Sequence, residues 1–143
     1  MGRRLVREKV LQILFQIDVG NIIPEKAMAH VLDQEKLSQK DIDFARSLVL
    51  GTLNHMEQID KIISRHAKDW NLGRMANVDR SVLRMAVYEM LYEPTIPVRV
   101  SINEAIELAK VFGSEESGGF VNGILDHIRR SLAQNDHMLG GQE

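Results

Sequence analysis

The segment Asn77-Val-Asp-Arg-Ser-Val-Leu-Arg-Met-Ala-Val-Tyr-Glu-Met-Leu-Tyr92 decides the fold. Val78, Val82, Leu83, Ala86 and Met90 recur at three- and four-residue steps, the period of a helix with one buried face. Glu93-Pro94 ends it, because the residue before a proline disfavours helical backbone. Arg80, Arg84 and Tyr88 follow at four-residue steps along the other side. They form either a basic, ring-bearing groove or an ordinary wet face with a tyrosine whose hydroxyl reaches water. Glu89 falls within the apolar arc and therefore demands a partner, since an unpaired interior carboxylate is costly. A structural ion pair fits it better than catalysis, and the sequence does not identify that partner.

The same period extends in both directions. A first helix over about 3–18 carries Val6, Val10, Ile13, Leu14 and Ile17 on one face and stops before Gly20-Asn21, a pair that tolerates left-handed backbone. A short helix begins near Pro24, which suits a first turn. Ser38 caps a helix that turns Ile42, Ala45, Val49 and Leu53 inward. Asn54-His-Met-Glu57 reads as a capping box, and the restarted helix puts Ile59, Ile63, Ala67 and Trp70 in register. After a loop at Asn71–Arg74 comes the segment already quoted. Ser101-Ile-Asn-Glu104 is the best capping box in the chain and opens a helix with Ile102, Ala105, Ile106, Ala109 and Phe112 inside and Gly113 at its end. Ser114–Gly119 reads as a polar turn. A last helix buries Val121, Ile124, Leu125, Ile128 and Leu132. No stretch alternates apolar and polar residues for long enough to be a strand. The expected fold is all-α, about seven helices around one core in residues 1–134, with a disordered tail over 135–143.

Composition narrows the function. The chain has 143 residues, 18 Lys+Arg against 20 Asp+Glu, 5 His and no Cys. One domain is the natural expectation for that length. Without Cys there are no disulfides, thiolate nucleophiles or Cys-rich zinc folds. No apolar run approaches a membrane span and no signal peptide opens the chain, so a cytoplasmic protein with no membrane role is expected. Residues 1–9 carry Arg3, Arg4, Arg7 and Lys9 against Glu8, a charge of +3, which leaves −5 on the remainder. A basic arm on an acidic body suits capture of one nucleic-acid segment, or is simply solvated.

Motifs for catalysis are sparse. No two of His30, His55, His66, His127 and His137 have the four-residue spacing of a helical zinc site. No serine sits in a nucleophile elbow, and Ser117-Gly-Gly119 lacks the Lys-Ser/Thr of a phosphate loop. Neither an enzyme nor a metal or cofactor is expected. The first helix carries more information. Arg4, Arg7, Leu11 and Phe15 form a second stripe away from its core face. That stripe is either a platform for unstacked RNA bases, with cations holding phosphates, or a surface packed under a neighbouring helix. Phe120, beside Gly118, Gly119 and Asn122, is either a flanking core residue or a contact at a helix N-terminus.

Four segments in order resemble the NusB family of bacterial transcription antitermination factors: Arg4-Leu-Val-Arg7-Glu-Lys-Val-Leu-Gln-Ile-Leu-Phe15-Gln, Val78-Asp-Arg-Ser-Val-Leu-Arg-Met-Ala-Val-Tyr-Glu89, Ile102-Asn-Glu-Ala-Ile-Glu-Leu-Ala-Lys-Val-Phe-Gly113 and Ser117-Gly-Gly-Phe-Val-Asn-Gly-Ile-Leu-Asp126. The resemblance implies an all-helical, non-enzymatic protein. With the ribosomal protein NusE it would bind boxA RNA and join the complex that carries RNA polymerase through terminators, chiefly in ribosomal RNA operons. It implies RNA contacts at Arg3, Arg4, Arg7, Phe15, Arg80, Arg84 and Phe120, and partner contacts at Phe15, Asp79 and Phe120. Some family members form homodimers that cover this surface. The N-terminal basic run is shorter here than in some relatives, which favours RNA binding together with NusE. The competing expectation is a helical adaptor that binds protein without touching RNA.

Overall fold

The computed structural model describes every residue except 1, 34–35, 69 and 140–143, and no side chain over 135–139. The described residues form seven α-helices: α1 Arg3–Gly20, α2 Pro24–Leu32, α3 Gln39–Asn54, α4 Met56–His66, α5 Asn77–Tyr92, α6 Val98–Phe112 and α7 Ser117–Leu139, with a 3-10 turn at Leu72–Arg74. No described helix is long and apolar enough to cross a membrane.

Several local rules hold as read. Pro24 sits in the first turn of α2. The Ser38 hydroxyl accepts from the Asp41 N–H at 3.1 Å and so caps α3. Asn21 adopts φ 53°, the left-handed stop that ends α1. Both bounds of α5 coincide with the segment quoted at the outset.

α5 is the axis of the fold and packs against α1, α3, α4, α6 and α7. α1 also packs on α2 and α3, and α7 lies on α4 and α6. A helix surrounded in this way has no wet face. Tyr88 is accordingly buried along with Val82, Leu83, Ala86 and Met90. Its ring passes so close to α3 that a Cβ on Gly51 would collide with it, which is why that position lacks a side chain.

Five expectations need correction. α6 starts at Val98, behind Pro97, whose φ of −58° starts the helix four residues before the start a Ser101 cap would give. Ser101 therefore lies inside the helix, buried, and its hydroxyl donates to Glu89 rather than capping. Phe112 ends α6 exposed, while Leu108 takes the inward place. At Asn54–Glu57 no box forms: Asn54 is the last residue of α3, and His55 precedes α4 without a side-chain cap. α4 stops at His66, so the helical register lapses and Trp70 is left 51% exposed. Finally, α7 begins at Ser117, which puts Gly118 and Gly119 in its first turn. The expected tail falls on 135–143, whose side chains lie outside the described residues together with the last four residues.

Candidate nucleic-acid interface

The N-terminal end of α1 carries cations where the helix dipole favours anions. Gly2 precedes it without a side-chain cap, and its first turn holds no acidic residue. Each such cation costs a few tenths of a kcal/mol up to about 1 kcal/mol, so helix stability does not explain the cluster. Arg3 is exposed, with its guanidinium carbon 3.9 Å from the ring centroid of Phe44 on α3. Arg4 is 57% exposed; its Nε donates to Glu104 Oε2 at 2.7 Å and its Nη2 to Oε1 at 3.4 Å. That hydrogen bond, with the charge of Glu104, raises the Arg4 pKa above its ordinary value.

Arg7 departs from the expected display of cations. It is 3% exposed, and its Nε and Nη2 donate to Glu89 Oε2 and Oε1 at 3.0 and 2.8 Å. With the Ser101 hydroxyl at 3.0 Å from Oε1, this supplies the partner that Glu89 required. A buried carboxylate needs a paired, hydrogen-bonded environment, and the Arg fork provides it. Arg7 is thus an internal tie between α1 and α5 and does not face solvent.

Arg80 and Arg84 are likewise engaged by internal partners. Arg80 donates to Asp18 Oδ2 at 2.7 Å, to the Leu72 carbonyl at 2.9 Å and to Asn77 Oδ1 at 2.6 Å. Arg84 donates to both oxygens of Asp60 at 2.9 Å and reaches Asp18 Oδ1 at 3.4 Å. Burial by itself would lower the Arg84 pKa, yet the hydrogen bond and charge of Asp60 leave it raised. These cations knit α1, α4 and α5 together instead of lining a basic groove.

Phe15 remains accessible. Half-buried, it lines a shallow groove of about 330 Å³ with Leu11, Val78 and the exposed Phe112, so packing covers Leu11 but does not seal the ring beside it. Asp79 lies in the first turn of α5, next in the chain to Val78; it is buried, and its Oδ1 has no hydrogen-bond partner among the described residues. The Gln16 Oε1, on the α1 side, is likewise buried without a partner. Phe120 packs partly on the core and meets Trp70 edge-on, with centroids 5.5 Å apart.

The expected residues therefore fall in separate places. Arg3 and Arg4 share one cavity, Phe15 lines a second, and Phe120 pairs with Trp70. Sequence reasoning missed three participants. Phe44 and Glu104 carry no local signal, because only tertiary packing brings them to α1. Trp70 was misassigned to the core through a helix register that ends too soon.

Residues 4–130 match the family model described as the NusB family. The transcription antitermination protein NusB of Bacillus pumilus is 52% identical over 134 residues, covering 94% of this chain and 99% of that protein. NusB of Bacillus subtilis is 51% identical over 135 residues, covering 94% and 100%. Among solved structures, T. maritima NusB superposes with a TM-score of 0.85 at 42% identity, covering 91% of this chain and 92% of the other. A structure of antitermination factors NusB and NusE in complex with dsRNA matches with a TM-score of 0.83 at 25% identity, covering 90% and 96%.

Proposed function

Because the chain belongs to the NusB family, we propose that it is a bacterial transcription antitermination factor that binds boxA-type RNA together with NusE. Its role is assembly: bound RNA and NusE join the RNA polymerase complex that reads through terminators, chiefly in ribosomal RNA operons. No step of bond-making is assigned to it.

The observation that carries this reading is the division of one helix into two open surfaces. The first turn of α1 presents Arg3 and Arg4 around a wet cavity. Further along, the same helix presents Phe15 in an apolar groove beside Phe112. Guanidiniums that hold phosphates suit a nucleic acid, and an aromatic groove suits a protein partner. Near the groove, the buried Asp79 Oδ1 and Gln16 Oε1 have no hydrogen-bond partner among the described residues. With Arg7, Arg80 and Arg84 held internally, the cations left at this end are few, which supports RNA capture mainly in company with NusE. A second copy of the chain would cover the same groove in a homodimer.

The test is a titration of the chain with NusE, with and without boxA RNA. Mutual strengthening of NusE and RNA binding is the expected result. Equal NusE affinity in both arms, with no RNA retained, would leave a protein-only adaptor. Sedimentation of the free chain over a range of concentrations reports the homodimer.

A further inference from the structure

We infer that the cavity beside the first turn of α1 seats one nucleotide of single-stranded RNA, and that Glu104 sets its affinity by competing with the phosphate for Arg4. The inference rests on the RNA-binding reading above and names the subsite through which it acts.

The cavity measures about 520 Å³, within the range of pockets that take small ligands. Its two faces differ in chemistry. Arg3 and Arg4 form the open cationic side, with Arg7 behind them held by Glu89; Ile96, Pro97 and Val100, from the α5–α6 connection and the start of α6, form the apolar side. Val100 is 41% exposed, an aliphatic surface left wet at this mouth. Phosphate against guanidinium and a flat base against an apolar wall are the two halves of a nucleotide, and covering a base face with aliphatic carbon makes no choice among bases.

Glu104 lies one turn beyond Val100 on α6 and closes the cationic side. Its carboxylate takes the Nε edge of Arg4, the same edge that a phosphate would grip bidentately. Because Arg4 is mostly exposed, the pair is weakly held and a phosphate can displace it. Until then the carboxylate cancels one of the two open charges and repels an arriving anion. The free protein is thereby kept from holding RNA indiscriminately.

The experiment is fluorescence anisotropy of labelled boxA RNA with the chain and NusE, repeated at several salt concentrations. Glu104→Gln keeps the size and removes the charge; RNA affinity should rise about three- to ten-fold, on the order of one exposed charge interaction. Its log–log salt slope should match the parent's, because the bound RNA makes the same two phosphate contacts in both. Val100→Asp puts a charge on the apolar wall at an exposed position, and affinity should fall about ten-fold, on the order of a lost apolar contact plus a new negative charge near the phosphate. Circular dichroism and NusE affinity of both variants should match the parent. Unchanged or weaker RNA binding by Glu104→Gln, or no effect of Val100→Asp, overturns the subsite while leaving the RNA reading intact. Displacement of the RNA by polyglutamate would reassign the cavity to acidic peptides. If the parent chain retains no RNA at all, the broader reading falls and the subsite with it.

Discussion

Arg7 and Glu89 are each tolerable in the interior only because of the other. Both are almost wholly removed from water, and two short hydrogen bonds join them. Removing one partner strands a buried charge, so Arg7→Ala and Glu89→Ala should each lower stability by about 3–5 kcal/mol in urea denaturation. Replacing both with apolar residues of similar volume (Arg7→Met with Glu89→Leu) should recover most of that loss. A single-variant loss under about 1 kcal/mol would show that the pair is not what holds α1 to α5. Phe15 is the opposite case. Its ring is only partly buried, so Phe15→Ala should cost less than the ~3–5 kcal/mol of a fully buried phenylalanine. NusE or RNA binding should nevertheless fall at least about ten-fold, as for an aromatic anchor in an interface. The reverse pattern, a large melting loss with binding kept, would return Phe15 to the core.

Between elements, α4 and α7 meet through two histidines. The Nδ1 atoms of His66 and His127 lie 2.6 Å apart, so one ring must be unprotonated to accept the bond. Burial first, and then the charge of His127, hold the His66 pKa below its ordinary 6.5. The unfolded chain therefore binds this proton more readily than the folded one. The contribution is fully present above about pH 6.5 and is lost as pH falls toward the lower folded value. Thermal melts should show a falling Tm between about pH 7 and pH 5. In His66→Gln that dependence should flatten, and an undiminished slope in the variant would place its origin elsewhere. Arg80 and Arg84 act at the same scale, converging on Asp18 to join the end of α1 to α5, with Arg84 continuing to Asp60 on α4.

For the molecule as a whole, charge placement sets the strength of RNA capture. The net charge of −2 combines a basic first nine residues with an acidic remainder. Folding withdraws Arg7 from the basic end, leaving Arg3 and Arg4 as its open arginines. Two single-strand phosphate contacts predict a log–log salt slope near −1.4 for the chain alone. That is shallower than the −2 to −3 expected if three or four cations reached phosphates. Binding measured from low to moderate salt checks it: a slope steeper than about −3 would require phosphate contacts by cations beyond Arg3 and Arg4, and a flat one would remove phosphate from the mechanism.

Helix positions were legible in the chain because they follow from spacing and from breakers a few residues apart. The α5 bounds, the Pro24 start, the Ser38 cap and the Asn21 stop are all local effects, and so is the all-helical class of the described residues. Where a competing local signal existed, as with Pro97 ahead of the Ser101 box, the reading missed by a turn. A helical wheel, however, fixes directions only about its own axis. It cannot say how many neighbours surround that axis, and α1 and α5 are each packed on several sides. Tertiary packing alone therefore decided that Arg7, Arg80, Arg84 and Tyr88 turn inward while Phe15 stays open. It also brought Glu104 and the loop before α6 to Arg4 across 100 residues of chain. Burial depends on what lies opposite a face, and that partner is remote in sequence.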